Sequence, residues 1–191
     1  MESLIELDKE LFLYLNNLGS SFFDPFWLFI THKFSSIPLY LFFVYLLYKN
    51  FGLQKTILAL VVVALMIAIT DQFSMAIKHS VERFRPCREP SLEGLGRFIT
   101  RCGSYGYFSG HATSSFALAI YLGSIFKKNY KYFFPVIIVW ALFVSYSRIY
   151  VGVHYPGDVI TGMLVGSIIG FGCYLLFKLI GKRLNQTDQK G

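Results

Sequence analysis

Five long stretches of this chain carry no charged side chain: Phe34–Tyr48, Thr56–Thr70, Tyr107–Phe126, Tyr132–Ser147 and Val159–Phe177. The first can extend back to Pro25, and the second continues as far as Lys78, interrupted only by Asp71. A helix needs about 20 mainly apolar residues to cross a bilayer, so these runs predict five transmembrane helices. Composition agrees: 54% of residues are hydrophobic and only 15% are charged, less polar surface than a soluble globule of this size requires. The net charge of +7 does not point to nucleic acid, because Phe (20) outnumbers Lys and Arg together (18). A basic excess on such a chain is better suited to anionic lipid or phosphate. The expectation is therefore an all-α integral membrane bundle, one domain over residues 1–191.

Four segments refine that outline. Asp24–Asn50 would be about 40 Å long as helix, which fits one tilted span containing Pro38. In residues 3–18, Leu4, Leu7, Leu11, Tyr14, Leu15 and Leu18 recur at spacings of three and four. That pattern predicts an amphipathic helix on the membrane surface, or else a short helix docked on the bundle. Residues 79–106 form a polar connection too long for a tight turn, and loops of that length are often functional. Residues 185–191 read as a flexible polar tail.

With Lys78, Arg85 and Arg148 set aside as site residues, the remaining Lys and Arg place the Lys127–Lys131 turn and the C-terminus in the cytoplasm. The polar loop then faces outward. Gly162, Gly166 and Gly170 recur every four residues, a stripe that lets helices approach closely. It is read as packing within the bundle, with a homodimer as the alternative. Cys173 lies in a span and is read as an apolar filler. Cys87 and Cys102 are the cysteines outside the spans, so they are candidates for a disulfide across the loop.

Alternating spans bring certain residues to one membrane face. Lys78 ends the second span, with Arg85-Pro86 shortly after it; Ser109-Gly110-His111 opens the third; Ser147-Arg148 ends the fourth; His154 and Asp158 precede and open the fifth. These types suit phosphoryl chemistry. Lys78, Arg85 and Arg148 can hold a dianionic phosphate, the Arg groups as bidentate forks. The backbone N–H groups of Ser109 and Gly110 favour an anion at a helix start. Of the two histidines, one can attack phosphorus while the other protonates the leaving oxygen. Asp158, four residues after His154, is placed to fix its tautomer. No carboxylate or cysteine cluster has metal-ligand spacing.

Lys78-x6-Arg85-Pro86, Ser109-Gly110-His111 and Ser147-Arg148-x5-His154-x3-Asp158 resemble the three-part signature of the type 2 phosphatidic acid phosphatase (PAP2) family, KxxxxxxRP, PSGH and SRxxxxxHxxxD. The resemblance implies a membrane lipid phosphatase that works through a phosphohistidine, without metal or other cofactor. His154 would be the nucleophile, Asp158 its orienter and His111 the general acid, with Lys78, Arg85, Ser109, Gly110 and Arg148 binding phosphate. Phe108 stands where the family has Pro; it removes a stiffening residue from the turn and puts a ring where it can wall the substrate entrance.

Similar family members act on undecaprenyl diphosphate, phosphatidate or phosphatidylglycerophosphate, and lipid A phosphate. The leading substrate class is undecaprenyl diphosphate or a glycerophospholipid phosphate. The implied location is the inner cell membrane, multi-pass, with the site on the outer, periplasmic face. The competing reading is a catalytically silent lipid-phosphate binding or transport protein on the same scaffold. Asp71 lies two helical turns before Lys78; its plainer reading is a hydrogen-bonded packing residue, and the other a functional intramembrane carboxyl.

Overall fold

The computed structural model describes residues 2–32 and 34–188. Six helices follow in order: α1 (Glu2–Asn17), α2 (Asp24–Thr31), α3 (Ile37–Val81), α4 (Gly110–Phe126), α5 (Phe133–Tyr150) and α6 (Pro156–Asp188). Two short 3-10 turns, Pro86–Arg88 and Pro90–Leu92, lie between α3 and α4. There is no strand among the described residues, only one antiparallel bridge between Phe84 and Tyr105. The helix starts follow local chemistry. Ser109 caps α4, its Oγ accepting from the Ala112 N–H as a polar N-cap should. Pro156 occupies the first turn of α6, with Asp158 in the same turn, a fit to both the fixed proline φ and the helix dipole.

Among the described residues, three helices are long and apolar enough to cross a membrane: α3, α5 and the Pro156–Leu184 part of α6. α3 has 45 residues, about 68 Å at a helical rise, far more than a bilayer's hydrocarbon thickness of roughly 30 Å. Gly52 resolves the excess. Its φ of 75° and ψ of 177° are not helical, and positive φ is readily accessible only to glycine. Tyr40, Phe43 and Leu47 before it line the same cavity as Leu60, Val63 and Lys78 after it, so the chain folds back at this point.

Three boundaries differ from the sequence reading. Asp24–Asn50 is not one tilted helix: α2 stops at Thr31, and α3 starts afresh with Pro38 in its first turn. A proline is easily placed there but disrupts a helix interior. The polar loop begins at Glu82, because α3 runs on to Val81 before Glu82 takes a left-handed conformation. The polar tail expected from residue 185 is helical through Asp188; residues 189–191 lie outside the described residues.

α1 docks on the bundle through a face that the leucine pattern does not mark. Phe12 and Asn16 are fully buried. Asn16 Nδ2 donates to the carbonyls of Arg97, Ile149 and Tyr150 at 2.9–3.0 Å. Leu4, Leu7, Tyr14 and Leu18 point outward, all more than half exposed. One side of α1 thus grips α5 and the loop while most of the apolar stripe stays on the surface, Leu15 alone of it packing against the buried cluster around Phe12.

α4 and α6 pack closely through the glycine stripe. A Cβ on Gly162 would stand 2.6 Å from the Ser109 carbonyl oxygen, and on Gly166 or Gly170 it would strike the carbonyl oxygens of Thr113 or Ala117. Nothing lies within 4 Å of a Cβ built on Gly172. Overpacking of this kind costs about 1–3 kcal/mol. Gly166→Val is therefore expected to lower the thermal midpoint in detergent by about 5 °C, while Gly172→Ala leaves it unchanged; differential scanning fluorimetry checks both.

Candidate active site

The start of α6 organises the site. Asp158 is 0% exposed and His154 is 2% exposed. Asp158 Oδ2 lies 3.4 Å from His154 Nδ1 and accepts from the Tyr155 N–H at 3.2 Å. A carboxylate on the Nδ1 side selects the tautomer with hydrogen there and leaves the Nε2 lone pair for chemistry. The His154 N–H donates to the Arg148 carbonyl at 3.2 Å, which fixes the turn between α5 and α6. The Ser109 N–H donates to the Asp158 carbonyl at 3.0 Å, which locks the start of α4 against the start of α6.

Three cations surround this pair. Burial drives the His154 pKa well below the ordinary imidazole value, and the positive charges of Arg85, Arg148 and Lys78 push the same way, opposed by a hydrogen bond with the Gly106 backbone. Arg85 Nε donates to the Tyr105 carbonyl at 2.9 Å; burial lowers the pKa of its guanidinium, opposed by Asp158. Arg148 Nη1 donates to Thr31 Oγ1 of α2. Arg148 Nε is buried without a hydrogen-bond partner among the described residues. A Cβ on Gly110 would lie 3.7 Å from Lys78 Nζ and 3.3 Å from Ser74 Oγ, so glycine leaves that space open. The structure thus brings together Lys78, Arg85, Arg148, Ser109, Gly110, His154 and Asp158.

His111, one residue into α4, lines a cavity of about 640 Å³ together with Lys78 and Gly110. The cavity runs between the two arms of α3 and helices α4 and α5, with mostly apolar walls. Asp71 lines it too and is exposed, so it is not a packed residue. Phe108 does the opposite: only 2% exposed, it packs against Phe73 with the rings tilted at 50° and their centroids 5.9 Å apart. Packing of this ring, rather than a wall at the entrance, is what takes the place of proline.

Across the loop, Cys87 and Cys102 are joined as a disulfide, with a Cα–Cα distance of 6.3 Å, within the span such bonds require. The Phe84–Tyr105 bridge and the Arg85 N–H to Ser104 carbonyl bond of 3.2 Å close the same loop over the site. Arg97 belongs elsewhere: its Nη2 donates to both carboxylate oxygens of Asp24, at 2.8 and 2.9 Å, and so serves α2. No group of three His, Cys, Asp or Glu residues able to hold a metal exists among the described residues.

Three contributors escaped the sequence reading. Arg83 Nη1 binds Asp158 Oδ1 at 2.9 Å, and its Nη2 binds Asp8 Oδ2 of α1 at 2.8 Å. Thr31 holds Arg148. Arg83 does carry one sequence signal, since it lies two residues before Arg85 on an extended stretch and so shares its side. Asp8 and Thr31 carry none, because their partners are far away in the chain.

His154 has the form expected of a nucleophile: neutral, with its other nitrogen facing a carboxylate and with cations around it. The pKa shift has a stability consequence. The unfolded chain takes up a proton on His154 near pH 6.5, while the folded chain resists until well below that. Stability is thus retained above pH 6.5 and lost as pH falls toward the folded value. Between pH 7 and pH 5 the wild-type thermal midpoint is expected to change less favourably than that of His154→Gln, which lacks this contribution; melting curves of both across the range check it.

The PAP2 superfamily model matches residues 56–182, a range that contains every motif residue above. The chain is 36% identical over 186 residues to a lipid A 4'-phosphatase of Bacteroides thetaiotaomicron, covering 95% of this chain and 80% of the relative. It is 48% identical over 69 residues to an undecaprenyl-diphosphatase of Sulfolobus acidocaldarius, covering 35% and 31%. A crystal structure of a PAP2-type phosphatidylglycerolphosphate phosphatase from Bacillus subtilis superposes with a TM-score of 0.73 at 18% identity, covering 96% and 88%. The same order of motifs, the same helical frame and the matched range make one conclusion: this chain belongs to the PAP2 superfamily.

Proposed function

We propose that this protein is a membrane phosphatase that hydrolyses a phosphate ester on a lipid through a phosphohistidine at His154. The carrying observation is the buried His154–Asp158 pair, 3.4 Å apart, beneath Lys78, Arg85 and Arg148. In this reading the three cations and the Gly110 N–H hold the phosphate oxygens and neutralise the charge that spreads over them in the transition state; the Ser109 N–H, expected from the sequence to join them, is already committed to the Asp158 carbonyl. His154 Nε2 attacks phosphorus and the P–O bond to the lipid breaks. His111 gives its proton to the departing lipid oxygen. Asp158 balances the positive imidazole of the intermediate. Water then attacks phosphorus with His111 accepting its proton, and inorganic phosphate leaves as His154 returns to neutral. The Cys87–Cys102 disulfide holds Arg85 against the segment leading to His111; closing such a loop restricts the unfolded chain by about 3 kcal/mol in the entropy model.

A lipid A phosphate is the proposed substrate, in preference to undecaprenyl diphosphate. Likeness to a lipid A 4'-phosphatase runs through 95% of the chain, whereas likeness to an undecaprenyl-diphosphatase covers 35%. The apolar cavity beside Lys78 and His111 suits acyl chains. The proposed arrangement has five spans: two from the arms of α3 on either side of Gly52, then α4, α5 and α6. The site then lies at the outer, periplasmic face of the inner membrane and the basic Lys127–Lys131 turn at the cytoplasmic one.

Phosphate release by purified protein in detergent tests the reading, with lipid A, undecaprenyl diphosphate and phosphatidate each supplied in excess chelator. The expected result is release from lipid A at the highest rate, full activity in chelator and a fall of at least about 1,000-fold in His154→Ala. No release from any of the three lipids would favour a silent binding protein instead.

A further inference from the structure

We propose that Arg83, held by Asp8 of α1, is a positioning residue for the Asp158–His154 pair, so that docking of the N-terminal helix sets the activity of the site. This inference rests on the phosphatase reading above, which gives Asp158 and His154 their roles. Asp158 has two carboxylate oxygens and they are divided. Oδ2 takes the Tyr155 N–H and faces His154, while Oδ1 receives Arg83 Nη1 at 2.9 Å. Arg83 therefore decides which oxygen is left for the imidazole and supplies a positive partner to a carboxylate that is 0% exposed. A buried carboxylate without such a partner is costly and poorly fixed.

Arg83 is itself fixed on three sides. Its Nη2 binds Asp8 Oδ2 at 2.8 Å, and its guanidinium lies 4.0 Å from the centre of the Tyr155 ring. The Phe84–Tyr105 bridge flanks its backbone, whose carbonyl accepts from the Gly106 N–H at 2.9 Å. Burial works against the charge of Arg83, but Asp158 and Asp8 outweigh it and hold its pKa above the ordinary value. Asp8 in turn reaches the other side of the site: its Oδ1 accepts from the Gly157 N–H at 2.8 Å, one residue before Asp158. One carboxylate on α1 thus clamps both the arginine that orients Asp158 and the first turn of the helix that carries it. α1 reaches the site with that face and leaves Leu4, Leu7, Tyr14 and Leu18 exposed on the other.

A residue that orients a catalytic partner changes turnover and leaves substrate binding alone, and losses of such partners run about 10–100-fold. A phosphate ligand, in contrast, raises KM as well as lowering kcat. The test measures kcat, per active site counted from the phosphoenzyme burst, and KM on lipid A in detergent for wild type, Arg83→Gln, Asp8→Asn and the double variant. Asp8→Asn keeps an acceptor for Gly157 and is the variant least able to disturb folding. Expected are a kcat about 10–100-fold lower in Arg83→Gln and at least threefold lower in Asp8→Asn, with KM within threefold of wild type in both. The double variant should be no slower than Arg83→Gln alone, because the two act through one network.

Unchanged kcat in either single variant, a loss confined to KM, or additive losses in the double variant would each overturn the inference while an active wild type leaves the phosphatase reading intact. A wild type inactive on all three lipids of the panel would overturn that reading and this inference together.

Discussion

The carboxylate of Asp158 has no contact with solvent, and a charge so placed must be paired or the fold pays heavily. Its partners define the architecture. His154 comes from the turn after α5, Tyr155 from the same turn, Arg83 from the loop after α3, and Asp8 closes the circle from α1. The Asp158 backbone carbonyl also takes the N–H of Ser109, which caps α4. Four separate parts of the chain thus converge on the first turn of α6. The tight glycine-mediated contact of α6 with α4 keeps that turn in place from below, in the apolar part of the bundle.

Around this balanced core stands an unbalanced one. Lys78, Arg85 and Arg148 all act on His154, and Asp158 alone cannot neutralise them, since Arg83 already occupies one of its oxygens. Cations are costly within a membrane protein unless they serve a ligand. In the proposed mechanism a phosphate with two negative charges meets this excess, while burial, reinforced by the same cations, keeps His154 neutral. On that proposal positive potential would do two things at once: bind the phosphate and help keep the nucleophile unprotonated. On the same proposal the apolar cavity that begins at Lys78, Gly110 and His111 would let a lipid keep its tails out of water while its phosphate sits among the cations.

Much of this can be read from the chain. The apolar runs announce the helices because a bilayer permits little else. The motif residues are visible because phosphate needs Lys and Arg, an attacking base needs its own carboxylate, and alternating spans collect both at one face. What could not be read depends on distant partners. Asp8 and Arg83 are separated by 75 positions, and Asp8 and Gly157 by 149. In the sequence, Asp8 and Asn16 look like the solvent side of an amphipathic helix, yet with Phe12 they are the side that docks. Phe108 looks exposed at a motif edge, yet it is packed against Phe73.

The central claim is that His154 carries the phosphoryl group. Turnover of lipid A labelled with radioactive phosphate, quenched within its first cycle, tests it most directly. The account predicts covalent label on the peptide containing His154, stable in alkali and lost in acid as a phosphoramidate should be, and absent from His154→Ala. Label that survives acid, or that persists on the protein when His154 is replaced, would contradict it.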